Sequence, residues 1–276
     1  MRFIVLTDSA ADISDTRASE LEVDVLRFPV IVDDVDYIEN TTISIGEFID
    51  SINEGKSVKT SQPSVGSLIS KWDELLEKYD HVIHCGISEG LSGAYETALM
   101  QSKNYNNKVT VIKTSAVSVG LQYMCKKVVG LLKEGMQPNE IKNIIENDDK
   151  MFAFIIPDNL TYLSKGGRIS PQAAALGNLL KIVPILVFKD GKIDAFDKVR
   201  TNKKAYKRAL DYFKDEITNK DDYNWYVIHS DNLDNATLIA SELSLLTNSN
   251  VEIFEFKPVI LAHTGPRTIG IGYMRK

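Results

Sequence analysis

Short apolar stretches alternate along the first half of the chain with segments in which apolar residues recur every three or four positions. Residues 3–7, FIVLT, read as a strand. Ile45, Phe48, Ile49 and Ile52 mark one face of a short helix, and Val65, Leu68, Ile69, Trp72, Leu75 and Leu76 mark a second, longer one. HVIHCGI, 81–87, reads as a buried strand. A helix beginning near Ser92, a strand at 108–113 and a long helix that stops before Gly135 follow, and another helix opens after Pro138. Strands separated by helices pair in parallel through crossovers, so this half is predicted to be an α/β layer structure.

The pattern changes at MFAFIIP, 151–157. Residues 181–200 form two strand-like runs around Asp190-Gly191, the signal of a tight hairpin and hence of antiparallel pairing. A helix at 202–216, a strand at 224–230, a helix at 232–246 and a strand at 251–256 follow. The expected architecture is α/β with two domains. Residues 1–152 form an N-terminal parallel-sheet domain, and residues 153–276 form a C-terminal domain with a mixed or antiparallel sheet.

Composition narrows the function classes. With 43% hydrophobic and 25% charged residues and no apolar run long enough to span a bilayer, the 276-residue chain reads as globular. The N-terminal apolar run meets Asp8 too early for a signal peptide, so a cytoplasmic location is expected. Net charge is −6, and the densest basic stretch, residues 198–208, reads as a solvated helix face, so nucleic acid is not an expected partner. Cys85 and Cys125 have neither disulfide nor zinc spacing. His81 and His84, three apart on a strand, point to opposite faces and make a poor ligand pair, so no metal is expected.

Several polar stretches can carry chemistry. In KTSQPSVGSL, 59–68, Ser64 can cap the helix behind it, while Thr60, Ser61 and Gln62 can present donors beside a positive helix end. Turn chemistry and an anion grip both fit. Gly86-Ile87-Ser88-Glu89-Gly90 matches the G-x-S-x-G of a hydrolase nucleophile elbow, with His263 downstream, which gives a serine-hydrolase alternative through Ser88 or Ser92. Against it, Gly90 and Ser92-Gly93 postpone the helix that an elbow needs directly behind its serine. LTYLSKGGRIS, 160–170, sets Lys165 and Arg168 around a Gly-Gly turn between two short helical patterns: a helix stop and restart, or a cationic docking loop. In LAHTGPRTIGIGY, 261–273, His263, Thr264 and Thr268 bracket a Gly-Pro turn. TDSAAD, 7–12, places polar residues at the carboxyl end of the first strand, where open α/β sheets bind ligands.

Five of these stretches, Thr7-Asp8-Ser9, Thr60 to Ser64, Leu91-Ser92-Gly93, Gly166 to Ile169 and His263 to Pro266, occur in the order and at about the spacing of the DegV family. Across essentially its whole length the chain resembles that family. The resemblance implies a two-domain, non-catalytic lipid-binding protein that holds one long-chain fatty acid in a tunnel between its domains. It further implies, as in some members, presentation of the carboxyl group to the separate ATP-dependent subunit of a bacterial fatty acid kinase, for phospholipid synthesis. Carried over by motif, Thr60, Ser61, Ser92 and Gly93 bind the carboxyl with His263, Arg200 and Thr268 form the network nearby, and Lys165 and Arg168 dock the kinase catalytic subunit. Transient membrane contact for lipid exchange also follows, and residues 173–180 and 182–186 are candidate tunnel walls.

Three positions depart from the family pattern: Ala94 replaces a usual Thr, Arg267 a frequent Gly, and Thr114 a usual Asp. A positive φ at Arg267 would cost on the order of 1 kcal/mol. The chemistry is that of binding. Burying about 14 methylenes at roughly 0.8 kcal/mol each gives a gross gain near 11 kcal/mol, so the tail dominates affinity while hydroxyls orient the head. No P-loop or kinase motif is present, so no cofactor is expected on this chain, and a partner must bring the nucleotide.

Overall fold

The computed structural model describes residues 1–148, 151–177 and 181–276. The chain divides into two compact units, one of Met1–Asp149 with Lys257–Val259, the other of Lys150–Phe256 with Ile260–Lys276.

The first unit runs β1 (Phe3–Asp8), α1 (Asp15–Glu20), β2 (Val23–Leu26), β3 (Pro29–Val32), β4 (Val35–Ile38), α2 (Ile45–Asn53), β5 (Val58–Thr60), α3 (Val65–Leu76), β6 (His81–His84), α4 (Ala94–Ser102), β7 (Val109–Val111), α5 (Ser118–Lys133) and α6 (Pro138–Asn147). Its main sheet is parallel, in the order β2-β1-β6-β7. The chain moves to one side of β1 and then to the other, so the strand order reverses between β1 and β6. A ligand crevice opens at such a switch, outside the carboxyl ends of the strands. The helices start where local chemistry dictates. Ser44 and Glu47 form a capping box on α2, the Ser64 side chain accepts from Ser67 N–H at the start of α3, and Pro138 opens α6. Leu6, Val82, Val109 and Val111 of the sheet pack against Leu68, Trp72 and Leu75 of α3.

A small antiparallel sheet, β4-β3-β5, was not anticipated. Its strands have four residues or fewer, yet Asp33 and Asp34 both adopt positive φ (47° and 63°), as a two-residue hairpin turn requires.

The second unit runs β8 (Phe152–Ile156), α7 (Thr161–Gly166), α8 (Pro171–Leu176), β9 (Val183–Lys189), β10 (Lys192–Val199), α9 (Asn202–Glu216), β11 (Tyr223–His229), α10 (Leu233–Thr247), β12 (Val251–Glu255), α11 (Pro258–Thr264), whose first two residues count with the first unit, and β13 (Ile269–Arg275). Its six-stranded sheet, β10-β9-β8-β13-β11-β12, is antiparallel except for the parallel β11–β12 pair. The predicted hairpin is present, with Asp190 at φ 51° and Gly191 at 76°. The basic stretch begins at the end of β10 and continues on α9 from Asn202, where Lys203, Lys204, Lys207 and Arg208 are exposed while Ala205, Ala209 and Phe213 join the core, as a solvated helix face should. Ala173, Ile185 and Leu186, expected to line a tunnel, are buried in this unit, and Ile185 belongs to its core. Residues 178–180 of that expectation lie outside the described residues.

Candidate ligand-binding site

At the switch point, β1 ends in Asp8 and β6 ends in His84, two residues before Gly86. Asp8 is buried. Its Oδ1 accepts from Ala10 N–H at 2.9 Å and its Oδ2 from Ile87 N–H at 2.8 Å, which ties the two strand ends together. Burial raises its carboxyl to about 7, against the lowering effect of those two N–H groups. The Trp72 indole donates to His84 Nδ1 at 3.2 Å, the two rings meeting edge to face at 85°. Burial lowers His84 to about 4, so the ring is neutral, and an accepting Nδ1 puts its proton on Nε2. The Thr114 hydroxyl, in place of the family's usual Asp, donates to the Gly86 carbonyl at 2.7 Å and fixes the loop.

A narrow apolar cleft of about 20 Å³ lies over this point. Leu26, Phe28, Leu68, Ala98 and Val111 supply its apolar wall; Asp8, His84 and Gly86 line it at the strand ends. Gln62, Pro63, Ala94, Tyr95 and Thr97 line it where α3 and α4 begin. The segments predicted to hold an anion therefore meet here. Gln62 Nε2 donates to Thr97 Oγ1 at 3.4 Å, and a side chain on Gly93 would come within 3.3 Å of Gln62 Oε1. Ser61 immediately precedes the Gln62–Pro63 wall, and Ser92 and Gly93 immediately precede Ala94. Ser92 Oγ accepts from Ala94 N–H, the first of α4, at 3.2 Å, while Gly93 at the N-cap position has no side chain to bond the N–H groups that follow, which leaves them as donors for an anion. Thr60 ends β5, pairs with Val30 across the small sheet, and is half-buried. The sheet missed in the sequence thus positions one of the predicted binding residues.

Ser88 does not sit on a nucleophile elbow. It is fully buried, its Oγ accepts from Gly90 N–H at 3.2 Å, and the helix behind it starts only at Ala94.

In the second unit, the Gly166–Arg168 turn and His263 come together. A Cβ on Gly166 would lie 2.5 Å from His263 Nδ1, so only glycine fits there. Burial and then the Arg168 charge lower His263 to about 4, which keeps it neutral at physiological pH. Lys165 and Arg168 are exposed, and the turn is anchored by Ser170, whose N–H donates to the Ile193 carbonyl at 3.2 Å and whose side chain caps α8. Gly265 has φ 77°, and a Cβ there would come 2.4 Å from the Tyr162 ring. Arg267 does adopt a positive φ, 60°, as its departure from the family pattern anticipated. Thr268 is fully buried and its hydroxyl donates to the Thr264 carbonyl at 2.9 Å, a structural bond. Arg200 is exposed between β10 and α9 and has no hydrogen bond or ion pair with any described residue.

Sequence reasoning passed over His84 as an ordinary packed residue. Its place at the end of a strand flanking the switch, two residues before a glycine, was the available signal. Among the described residues no group of ligating side chains could hold a metal, and no helix is long and apolar enough to cross a membrane.

Comparison with known proteins agrees with this architecture. The DegV domain-containing protein YqaC of Lactococcus lactis is 35% identical to this chain over 281 aligned positions that cover 100% of both chains. The fatty-acid-binding DegV family protein SAG1342 of Streptococcus agalactiae superposes with a TM-score of 0.88 at 31% identity, covering 100% of this chain and 99% of its own. A DegV family protein of Thermus thermophilus, solved for its fatty acid binding, gives 0.88 at 29% identity with both chains covered completely. The profile of a family described as uncharacterised protein, DegV family, matches residues 2–276, and the chain belongs to that family.

Proposed function

We propose that this protein binds one long-chain fatty acid, with the carboxylate held beside the switch point where α3 and α4 begin. Thr60, Ser61 and Ser92 supply hydroxyl donors and Gly93 lets the backbone at the start of α4 approach the head group. The observation that carries this reading is the meeting of two helix starts preceded by hydroxyls, α3 and α4, beside the switch point. The fatty acid binding of the Streptococcus agalactiae and Thermus thermophilus relatives supports it. A carboxylate stripped of water is costly unless charge-assisted hydrogen bonds replace the lost ones, and hydroxyls beside a helix N-terminus are suited to that task.

The finer reading extends to a role without catalysis of its own. The fatty acid is presented to the ATP-dependent catalytic subunit of a fatty acid kinase, which makes the acyl phosphate. Exposed Lys165 and Arg168 dock the kinase. Loading proceeds by transient membrane contact. The absence of a P-loop or kinase motif in the sequence is consistent with a partner that brings the nucleotide.

Native mass spectrometry and solvent extraction of the purified protein should release a stoichiometric fatty acid. With one or two charge-assisted hydrogen bonds lost, at roughly 1.5–3 kcal/mol each, the Ser61→Ala, Ser92→Ala double variant should weaken stearate binding by at least about tenfold. Lipid-free protein that takes up neither stearate nor oleate would overturn the reading. Acyl-phosphate formation with a cognate kinase subunit tests the finer role.

A further inference from the structure

We propose that the free edge of β7 is a docking groove for an extended peptide segment of a partner protein, which pairs with Val109 and Val111 as an added strand. β7 is the last strand of the parallel sheet and pairs with β6 alone. The Val82 N–H donates to the Lys108 carbonyl at 2.9 Å, and the Ile112 N–H donates to the His84 carbonyl at 3.0 Å. In a parallel pair these bonds fall to alternate residues of a strand. Residues 108, 110 and 112 therefore face β6, and the main-chain groups of Val109 and Val111 point away from the sheet.

Partners for these outward groups differ along the edge. Towards the carboxyl end α6 supplies them: Lys142 Nζ donates to the Val111 carbonyl at 2.8 Å, and Glu146 Oε1 accepts from Lys113 N–H at 2.8 Å. Towards the amino end the Val109 N–H, the Val109 carbonyl and the Val111 N–H bond no other described residue. A cavity of about 310 Å³ opens at this point. Val109 and Val111 line it, together with Leu99 and Ser102 of α4 and with Gln137 and Asn139 where α6 begins. None of the residues proposed to hold the fatty-acid carboxylate lines it, so this groove stands or falls apart from that site.

The order of the open groups selects the occupant. Along β7 they run donor, acceptor, donor, and an extended peptide offers the complement, carbonyl, N–H, carbonyl, when it adds to a sheet edge. A second copy of this chain fits poorly. Its own β7 edge is set between its α4 and α6, and two edges recessed in this way cannot meet. Side chains sharpen the partner's chemistry. Val109 and Val111 join the core with Leu68 and Ala98, while Thr110 between them turns to the opposite face, where its hydroxyl meets His81 Nε2 at 2.9 Å. An added strand continues this alternation. Its residue beside Val109 points to the α4 side, towards Leu99, and is apolar; the residues flanking it point to the side of His81 and Thr110, which also line the cavity, and are polar.

The test pans a phage-displayed library of short linear peptides against the full-length protein and measures the synthesised hits by fluorescence anisotropy. Hits should share an apolar residue flanked by polar ones, and amide hydrogen exchange at Val109 and Val111 should slow in the complex. An ester oxygen in place of the peptide N–H that faces the Val109 carbonyl should weaken binding roughly two- to tenfold, the net worth of one hydrogen bond. Val109→Pro removes an outward N–H without breaking a bond to β6, and Asn139→Trp, at an exposed position, fills the cavity; each should weaken binding at least about tenfold. Should Val109→Pro fail to fold, Asn139→Trp decides. A library that yields no binder overturns the proposal, as do hits that Asn139→Trp binds equally well or that leave exchange at Val109 and Val111 unaltered. Dimerisation that by itself slows exchange at these two amides would assign the edge to a second copy and overturn it as well.

Discussion

Arg267 occupies a left-handed backbone conformation, φ 60°, three residues after Thr264 ends α11. Its side chain is exposed, and its carbonyl accepts from Asn232 Nδ2 at 2.9 Å, a bond that any residue can supply. Replacement by glycine therefore removes strain without removing packing. The left-handed region costs a residue with a Cβ about 1–2 kcal/mol, and the extra unfolded-state freedom of glycine takes back about 0.4–1 kcal/mol. Arg267→Gly should thus gain about 0.5–1 kcal/mol, or roughly 1–4 °C in Tm for a chain of this size. Arg267→Ala is the control, since it loses the same guanidinium but keeps the Cβ, and its Tm should stay within about 1–2 °C of the parent. Gly265→Ala should move the other way by more than about 2 kcal/mol, because it combines φ 77° with a contact 2.4 Å from Tyr162. Differential scanning calorimetry on the three variants checks the set. An equal gain in Arg267→Ala and Arg267→Gly would assign the effect to charge and refute the argument from strain.

Two further outcomes follow from buried titrating groups. Asp8 has a folded-state value of about 7 against 3.8 in the unfolded chain, so the native state holds the extra proton between those values; its stabilising contribution is full below 3.8 and is lost as pH rises through 7. A shift of about three pH units corresponds to at most about 4 kcal/mol. Urea unfolding of Asp8→Asn and parent protein at pH 4 to 8 should therefore show the variant gaining relative stability as pH rises, and a gap constant with pH would contradict the buried carboxyl. Arg168→Ala removes the smaller of the two causes that lower His263, so its imidazole should titrate above about 4 yet remain below the ordinary 6.5, because burial persists. Histidine NMR titration reads this, and an unchanged value would mean that Arg168 does not act on the ring.

Much of the fold was legible because the elements that matter most obey simple periodicities. The Asp190-Gly191 hairpin, the α9 boundaries and the Ser64 cap follow from residue types whose backbone preferences act locally. Strand β13 was not legible, although it lies inside the six-stranded sheet between β8 and β11. Its Gly270 and Gly272 interrupt the strand pattern for tertiary reasons. A Cβ on Gly270 would meet Ile228 Cγ2 at 2.7 Å, and one on Gly272 would meet the Phe152 carbonyl oxygen at 2.6 Å. The four short strands β2 to β5 carry too few residues for alternation to register, although the Asp33-Asp34 turn was a usable hint. In the candidate site, the hydroxyls were visible as residue types beside helix starts. The cleft wall was not, because Leu26, Phe28, Leu68 and Val111 come from four separate elements and loops and converge only in the folded sheet.

The short segment Lys257–Val259 is counted with the first unit although the sequence on both sides of it belongs to the second. Its Lys257 N–H donates to the buried Asp12 carboxylate at 2.7 Å, and Glu39 receives the Val259 N–H. A gene cut after codon 149 would deliver a first unit with two buried acids stripped of these partners. The first unit therefore has no single seam in the sequence, and a cut that keeps both of these bonds has to bring Lys257–Val259 along with it.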